Sequence, residues 1–437
     1  MDILLSFKNI LKNFVPESLI SGYHFFLSFL SFLLYRAPSQ QSKMKVIGVT
    51  GTNGKSTVVE MIARILEGAG FSVAFISSLK FKIGDKEEKN ELRMTMPGRF
   101  TIQRFLRQAL DRHCDYAIIE VTSEGVKQHR HRFIDFDVAV FTNLAPEHIE
   151  SHGSFKAYQR AKGKLFQATR GTHIINLDDE HADYFLQFSS QKKYGYTLEG
   201  KEREGVSIIS ASILPSTREN KTSFELDGTS FHLQLLGRFN IYNALAAIGV
   251  ARSQDISLQT SKESLESVEG VPGRMEEVIV KPFRVIVDYA FTPQALEKVY
   301  QNLKNDFSPS KMICVLGACG GGRDKWKRPV LGEIASRYCQ KVIIANEDPY
   351  DEDPKKIIED VARGAKGKAE KIIDRREAIQ KALSYAQAGD VVVITGKGSE
   401  PCICVAGGKK MPWDDRKVVR EEFQKIREEA TQEHGKV

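Results

Sequence analysis

Val46-Ile47-Gly48-Val49-Thr50-Gly51-Thr52-Asn53-Gly54-Lys55-Ser56-Thr57-Val58-Val59-Glu60-Met61-Ile62-Ala63-Arg64-Ile65-Leu66 is the stretch from which the rest of the chain can be read. Val46 to Val49 is an apolar strand run, whereas Val58, Met61, Ile62, Ile65 and Leu66 fall on one face of a helix. The loop between them runs Thr50, Gly51, Thr52, Asn53, Gly54, Lys55, Ser56, Thr57. In such a loop, backbone N–H groups converge on phosphate oxygens, and the helix N-terminus adds favourable potential. Lys55 is expected to bridge the β- and γ-phosphates of a nucleotide, and Ser56 to hold Mg²⁺ through its hydroxyl. Val49 stands where the general phosphate-loop pattern has its first glycine, so a plain glycine turn with a surface lysine is the competing reading. The strand–loop–helix context favours phosphate.

Outward from this loop, strands and helices alternate. Phe71 to Ile76, Tyr116 to Val121, Val138 to Phe141 and Ile174 to Leu177 repeat the strand theme, predicting a parallel sheet covered by helices on both faces. From about Gly205 to Leu236 the chain is Ser/Thr-rich with a turn at Asp227-Gly228, which predicts a small antiparallel insertion. A helix follows from Asn240 to about Ala251. Val271-Pro272-Gly273 reads as a linker, after which Arg284 to Val287, Met312 to Leu316, Val342 to Ala345 and Val391 to Thr395 begin the alternation again. The fold class is therefore α/β: a doubly wound central ATPase domain (44–270) and a smaller Rossmann-like C-terminal domain (271–437). The charged tail from Arg416 to Glu429 predicts a solvated terminal helix.

Composition agrees with this division. The 437 residues exceed one ordinary core, and 41% hydrophobic with 27% charged residues describes a globular chain. Six cysteines without a CxxC pair exclude a disulfide scaffold and a zinc ribbon and suit a reducing, cytoplasmic compartment. The excess of basic residues, 63 − 56 = 7, suits anionic small substrates, and no motif supports nucleic acid. Residues 1–43 differ from the rest. Between Glu17 and Arg36 lie 18 residues without a formal charge, close to the lower limit of about 17 for a spanning helix. Gly22, His24 and the serines weaken a span. A surface-lying helix, or a buried hairpin capping the next domain, is the expectation, with membrane association through 1–43 left open.

Two polar residues at later strand ends narrow the chemistry. Glu120 closes the strand in Ile118-Ile119-Glu120-Val121-Thr122-Ser123, and His148 follows the strand Val138 to Phe141. A carboxylate and an imidazole at the edge of the phosphate loop can hold a metal that the phosphates share. Hydrolysis, kinase chemistry and ligation all remain open on these residues alone. The loop Thr50 to Thr57, Glu120 to Ser123, Thr142-Asn143-Leu144 to His148, Ala161 to Phe166 and Gly237 to Asn243 occur in an order that resembles the Mur ligase family. Those enzymes form amides at the expense of ATP in peptidoglycan precursor synthesis. Gly273 to Glu277, Asp288-Tyr289-Ala290, Gly321 to Pro329 and Gly396 to Glu400 resemble the branch of UDP-N-acetylmuramoyl-tripeptide synthetases, MurE, over about Met44 to the C-terminus.

The resemblance implies roles residue by residue. Glu120 and His148 would hold Mg²⁺, with Lys162 as the family's carbamylated lysine. Asn240 and Asn243 would contact adenine, and Arg274 and Asp288 the phosphate and ribose of ATP. Thr95, Thr122, Ser123, Gln128 and Arg130 would face a muropeptide; Arg323, Asp348, Tyr350, Gly396 and Glu400 would also bind substrate. The implied reaction is phosphoryl transfer to a substrate carboxylate, then amine attack on the acyl phosphate, with a monomer as the working unit. The chain departs from the family at Glu124, Phe291 and Ser399, where such enzymes usually carry histidine. It departs again at Asn346-Glu347-Asp348-Pro349-Tyr350, where diaminopimelate-adding members have Asp-Asn-Pro-Arg. Losing that arginine removes the bidentate partner of a distal carboxylate, so lysine or another amino acid is expected in place of diaminopimelate. Glu400 is expected to meet an ammonium group. The family normally begins with a domain gripping uridine diphosphate, yet only the apolar segment precedes Met44. The expected precursor is therefore lipid-linked or shortened as readily as UDP-linked. A ligase for folate polyglutamate or a storage polymer, and a silent nucleotide-binding protein at the membrane, are the competing readings.

Overall fold

The computed structural model describes residues 16–40, 43–92, 94–215 and 222–434. The part of the apolar segment before residue 16 lies outside the described residues. Among the described residues two large sheets organise the chain, beside a two-stranded hairpin, Cys402–Val405 with Lys409–Pro412. The first has eleven strands, with Lys45–Thr50 between Tyr116–Glu120 and Val138–Phe141, all parallel. Every residue of Tyr116–Glu120 and Val138–Phe141 is buried, because helices cover both faces. The helices Lys55–Gly68 and Phe239–Ser253 pack on one face, and Arg99–Asp111 and Phe155–Ala168 on the other. Each fully buried Ile, Leu or Val contributes about 1.5–3 kcal/mol.

The predicted antiparallel insertion takes a different form. Ser207–Ile213 pairs parallel with Lys192–Thr197, and Thr222–Leu226 and Thr229–Leu233 then add antiparallel, so the segment extends the central sheet. Phe224 and Phe231, stacked 4.6 Å apart, join the same core as the phosphate-loop helix. Inward apolar side chains on that edge could be buried only by continuing the sheet.

The second sheet has six strands in the order Glu276–Ile279, Arg284–Asp288, Val391–Thr395, Met312–Leu316, Lys341–Ile344, Ala369–Lys371, all parallel after the first. The terminal helix Asp415–His434 is not simply solvated, as its charge suggested. Val418, Val419 and Phe423 are buried against this sheet and the helix Arg375–Tyr385. Three apolar positions at helical spacing anchor one face, and the charges occupy the other.

Glu17–Leu34 is a helix. Phe25, Phe29 and Phe32 lean on Phe133 with ring centres 5.3–5.5 Å away, and Ser21 Oγ lies 2.7 Å from His129 Nε2. Leu19, Tyr23, Phe26, Leu30 and Leu33 form an exposed stripe on another face. Among the described residues no helix is long and apolar enough to cross a membrane.

Candidate active site

The carboxyl ends of both sheets open onto one cavity of about 910 Å³. Gly51 and Gly54 shape its floor. Gly51 has φ +152°, and a Cβ there would sit 1.8 Å from Thr142 Oγ1. Gly54 has φ +83°, and its Cβ would fall 2.5 Å from Asn243 Oδ1. Asn143 staples the loop from the neighbouring strand end. Its Oδ1 accepts from Asn53 N at 3.0 Å, and its Nδ2 donates to Asn53 O at 3.0 Å. Because φ is positive and the space is taken, Gly54→Ala is expected to weaken binding of a non-hydrolysable ATP analogue about tenfold or more, measured by calorimetry.

Lys55 Nζ curls back onto Gly51 O and Thr52 O at 3.1 and 2.9 Å, and lies 3.9 Å from Glu120 Oε1. Burial lowers its pKa; Glu120 opposes that shift and Arg274, from the second sheet, adds to it. Glu120 Oε2 accepts from Ser56 Oγ at 3.0 Å and from Ser78 N at 2.9 Å. Lys162 is buried, with Nζ donating to Gly51 O at 2.6 Å and lying 4.6 Å from the centre of the Tyr158 ring. Burial, with Lys55 adding repulsion, holds its pKa well below the usual lysine range. Its amine is thus pushed toward the neutral form that carbamylation needs. Burial, then Arg323, pulls the His148 pKa down to about 3, which keeps the imidazole neutral. Its ring lies 6.0 Å from that of Tyr158.

Among the described residues no group of three or more His, Cys, Asp or Glu is placed to hold a metal unaided. A carboxylate and a hydroxyl beside a phosphate cradle are what Mg²⁺ takes when phosphates and water supply its remaining ligands, so the donor set fits that ion.

Asn240 and Asn243 sit one turn apart on the buried face of Phe239–Ser253, joined by Nδ2 to Oδ1 at 2.8 Å. Arg274 stacks 4.3 Å over the Tyr289 ring. Asp288 accepts from Met275 N at 2.7 Å and Ala290 N at 2.6 Å, and burial raises its pKa. Thr95, Thr122, Ser123, Arg323, Asp348, Tyr350, Gly396 and Glu400 all border the same cavity. Three expected site residues do not. Thr50 is fully buried, its hydroxyl spent on Val121 O at 2.9 Å. Gln128 and Arg130 do not line the cavity and are bonded to each other at 2.6 Å, with Arg130 also donating to Met96 O.

Glu400, expected to meet an ammonium, is already paired with Lys397 and accepts from Tyr289 OH at 3.1 Å. Lys397 also lies 2.9 Å from Asp348. The residue overlooked was Glu347. It is buried on the cavity wall, with Oε1 accepting from Cys319 Sγ at 2.9 Å and Oε2 without a hydrogen-bond partner. Burial raises its pKa. Its place inside the altered five-residue motif was the available signal. Lys327 and Glu147 were also missed. They form a buried ion pair at 2.8 Å across the two lobes.

The chain matches the family profile described as Mur ligase middle domain over residues 49–251, and that described as Mur ligase, glutamate ligase domain, over 273–398. It is 38% identical over 416 residues to the UDP-N-acetylmuramoyl-L-alanyl-D-glutamate–2,6-diaminopimelate ligase of Syntrophomonas wolfei, covering 90% of this chain and 81% of that one. It is 34% identical over 428 residues to the UDP-N-acetylmuramyl-tripeptide synthetase of Roseiflexus sp., covering 92% and 82%. A solved UDP-N-acetylmuramoyl-L-alanyl-D-glutamate–2,6-diaminopimelate ligase superposes with a TM-score of 0.59 at 32% identity, covering 88% of this chain and 79% of that one.

Proposed function

The chain belongs to the Mur ligase family, and from that membership we propose that it joins an amino acid to a muropeptide acid, splitting ATP to ADP and phosphate. The convergence of Lys55, Glu120, His148, Lys162, Arg274 and Asp288 on one cavity between two lobes carries this reading. The γ-phosphoryl passes to the substrate carboxylate, giving an acyl phosphate. The amine then attacks the acyl carbon and phosphate leaves. Lys55 and the amides of residues 51–55 counter the repulsion between the two anions of the first step. Ser56, Glu120 and His148 would hold Mg²⁺, which adds positive charge against the phosphates when bound. Lys162, as a carbamate, would supply an anion toward that ion. Asn240 and Asn243 would meet adenine, and Arg274 and Asp288 phosphate and ribose.

The acceptor is a cationic amino acid such as lysine in preference to diaminopimelate. Tyr350 brings no charge for a second carboxylate. The unpartnered Oε2 of Glu347 favours an ammonium. The exposed apolar stripe of Glu17–Leu34 favours a lipid-linked carrier for the muropeptide over UDP. A single assay tests these points: UDP-linked and lipid-linked muropeptide acids, ATP and mixed amino acids, with products read by mass spectrometry. A lysine adduct is expected. An exclusive diaminopimelate adduct would refute the acceptor assignment, and ADP release without any adduct would refute ligation.

A further inference from the structure

His148 stands at φ +57°, an uncommon backbone state for a residue with a side chain, at the start of a one-turn helix, Ile149–His152. One turn is too short to sustain itself in water, and His148 gives it no side-chain cap. The cap comes from the other lobe. Asp324 Oδ2 accepts from Ile149 N at 3.2 Å and Oδ1 from Glu150 N at 3.0 Å. In return, Lys325 N donates to Glu150 Oε1 at 2.8 Å. On the other flank of His148, Lys327 Nζ meets Glu147 Oε1 at 2.8 Å, both side chains being 3% exposed. The Lys327 ammonium also lies 4.9 Å from the centre of the Phe291 ring. Both sides of His148 are therefore held by one stretch of the second lobe, from Asp324 to Lys327, where a loop enters the helix Lys327–Tyr338.

We propose that Asp324 and Lys327 are positioning residues: they clamp the His148 turn across the lobe interface, so that the metal-binding edge of the phosphate site is completed only when the lobes meet. The inference rests on His148 holding Mg²⁺, as proposed above. It makes closure a condition for metal retention. On lobe opening the Glu147–Lys327 pair would part and the one-turn helix would lose its Asp324 cap.

Mn²⁺ bound to the full chain with a non-hydrolysable ATP analogue can be counted by electron paramagnetic resonance. Asp324→Ala and Lys327→Met are expected to weaken apparent Mn²⁺ affinity about tenfold, with the Mg²⁺ needed for half-maximal turnover rising in parallel. Glu150→Ala changes an exposed residue and removes only the Lys325 contact; it should shift affinity the same way by a smaller factor. Asn302→Ala breaks another lobe contact, Arg238 N to Asn302 Oδ1 at 2.9 Å, and should leave Mn²⁺ affinity at the parent value. Unchanged affinity in Asp324→Ala and Glu150→Ala, or an equal loss in Asn302→Ala, would overturn the clamp. His148→Ala separates the two layers. If it leaves Mn²⁺ affinity untouched, the metal role of His148 fails and the clamp falls with it; if it weakens affinity and the clamp variants do not, the clamp alone falls.

Discussion

Lys55→Ala is expected to lower turnover by about 10³-fold, the scale on which single charge-stabilising groups act in phosphoryl and acyl transfer. The Lys55 amine reaches two loop carbonyls, Gly51 O and Thr52 O, and both Glu120 and Arg274 act on it electrostatically. Without nucleotide its charge is disfavoured by burial. Bound phosphates would favour the charged form again, so nucleotide binding raises its pKa. ATP affinity should then fall as pH rises above the free-enzyme pKa, because a proton must be taken up. In Lys55→Met that part of the pH dependence should vanish. Stopped-flow release of ADP and calorimetric binding across pH 7 to 10 check both statements. Parent-like turnover in Lys55→Ala would remove the phosphate role and revive the silent nucleotide-binder reading.

The largest stability effect is expected at Asp415. Its carboxylate takes two bonds from Arg375, at 2.8 and 2.7 Å, and one from Trp413 Nε1 at 2.8 Å, with the ion pair almost fully buried. Asp415→Ala leaves a buried guanidinium without its counter-charge, which costs about 3–5 kcal/mol. Urea unfolding of the second lobe, followed by Trp413 fluorescence, should show a correspondingly lower midpoint. Lys417→Ala, in an exposed pair on the same helix, should stay within about 0.5 kcal/mol of the parent. Arg375→Leu combined with Asp415→Leu should cost less than the sum of the singles, since two apolar groups leave no orphan charge. The same pair reaches toward function. Arg375 also donates to Thr395 O at 2.9 Å, next to Gly396 and the unpartnered oxygen of Glu347. KM for the amino acid should therefore rise in Asp415→Ala at temperatures where the lobe is still folded.

Local chemistry made the phosphate loop legible, because a strand, a tight glycine turn and an amphipathic helix each leave a pattern within a dozen residues. Glu120 and His148 were placed at the cavity for a related reason: Glu120 closes a short apolar strand and His148 sits on the loop after another, and parallel strands deliver their ends to one edge. Met312–Leu316 and Val391–Thr395 coincide with their predicted bounds, since continuous apolar runs admit little slippage. The terminal helix misled because its many charges masked three anchoring apolar positions.

Periodicity and motif chemistry were enough to settle the α/β class and to point to the glycine loop and strand ends that border the cavity. They could not say that Gln128 and Arg130 bond to each other, that Glu400 is already matched by Lys397, or that Lys327 seeks out Glu147 across 180 positions of chain. Those outcomes depend on which polar groups become buried together. Burial is a property of the packed lobes: a charge removed from water takes whatever partner the folded path brings within about 3 Å, and sequence spacing carries no record of that path.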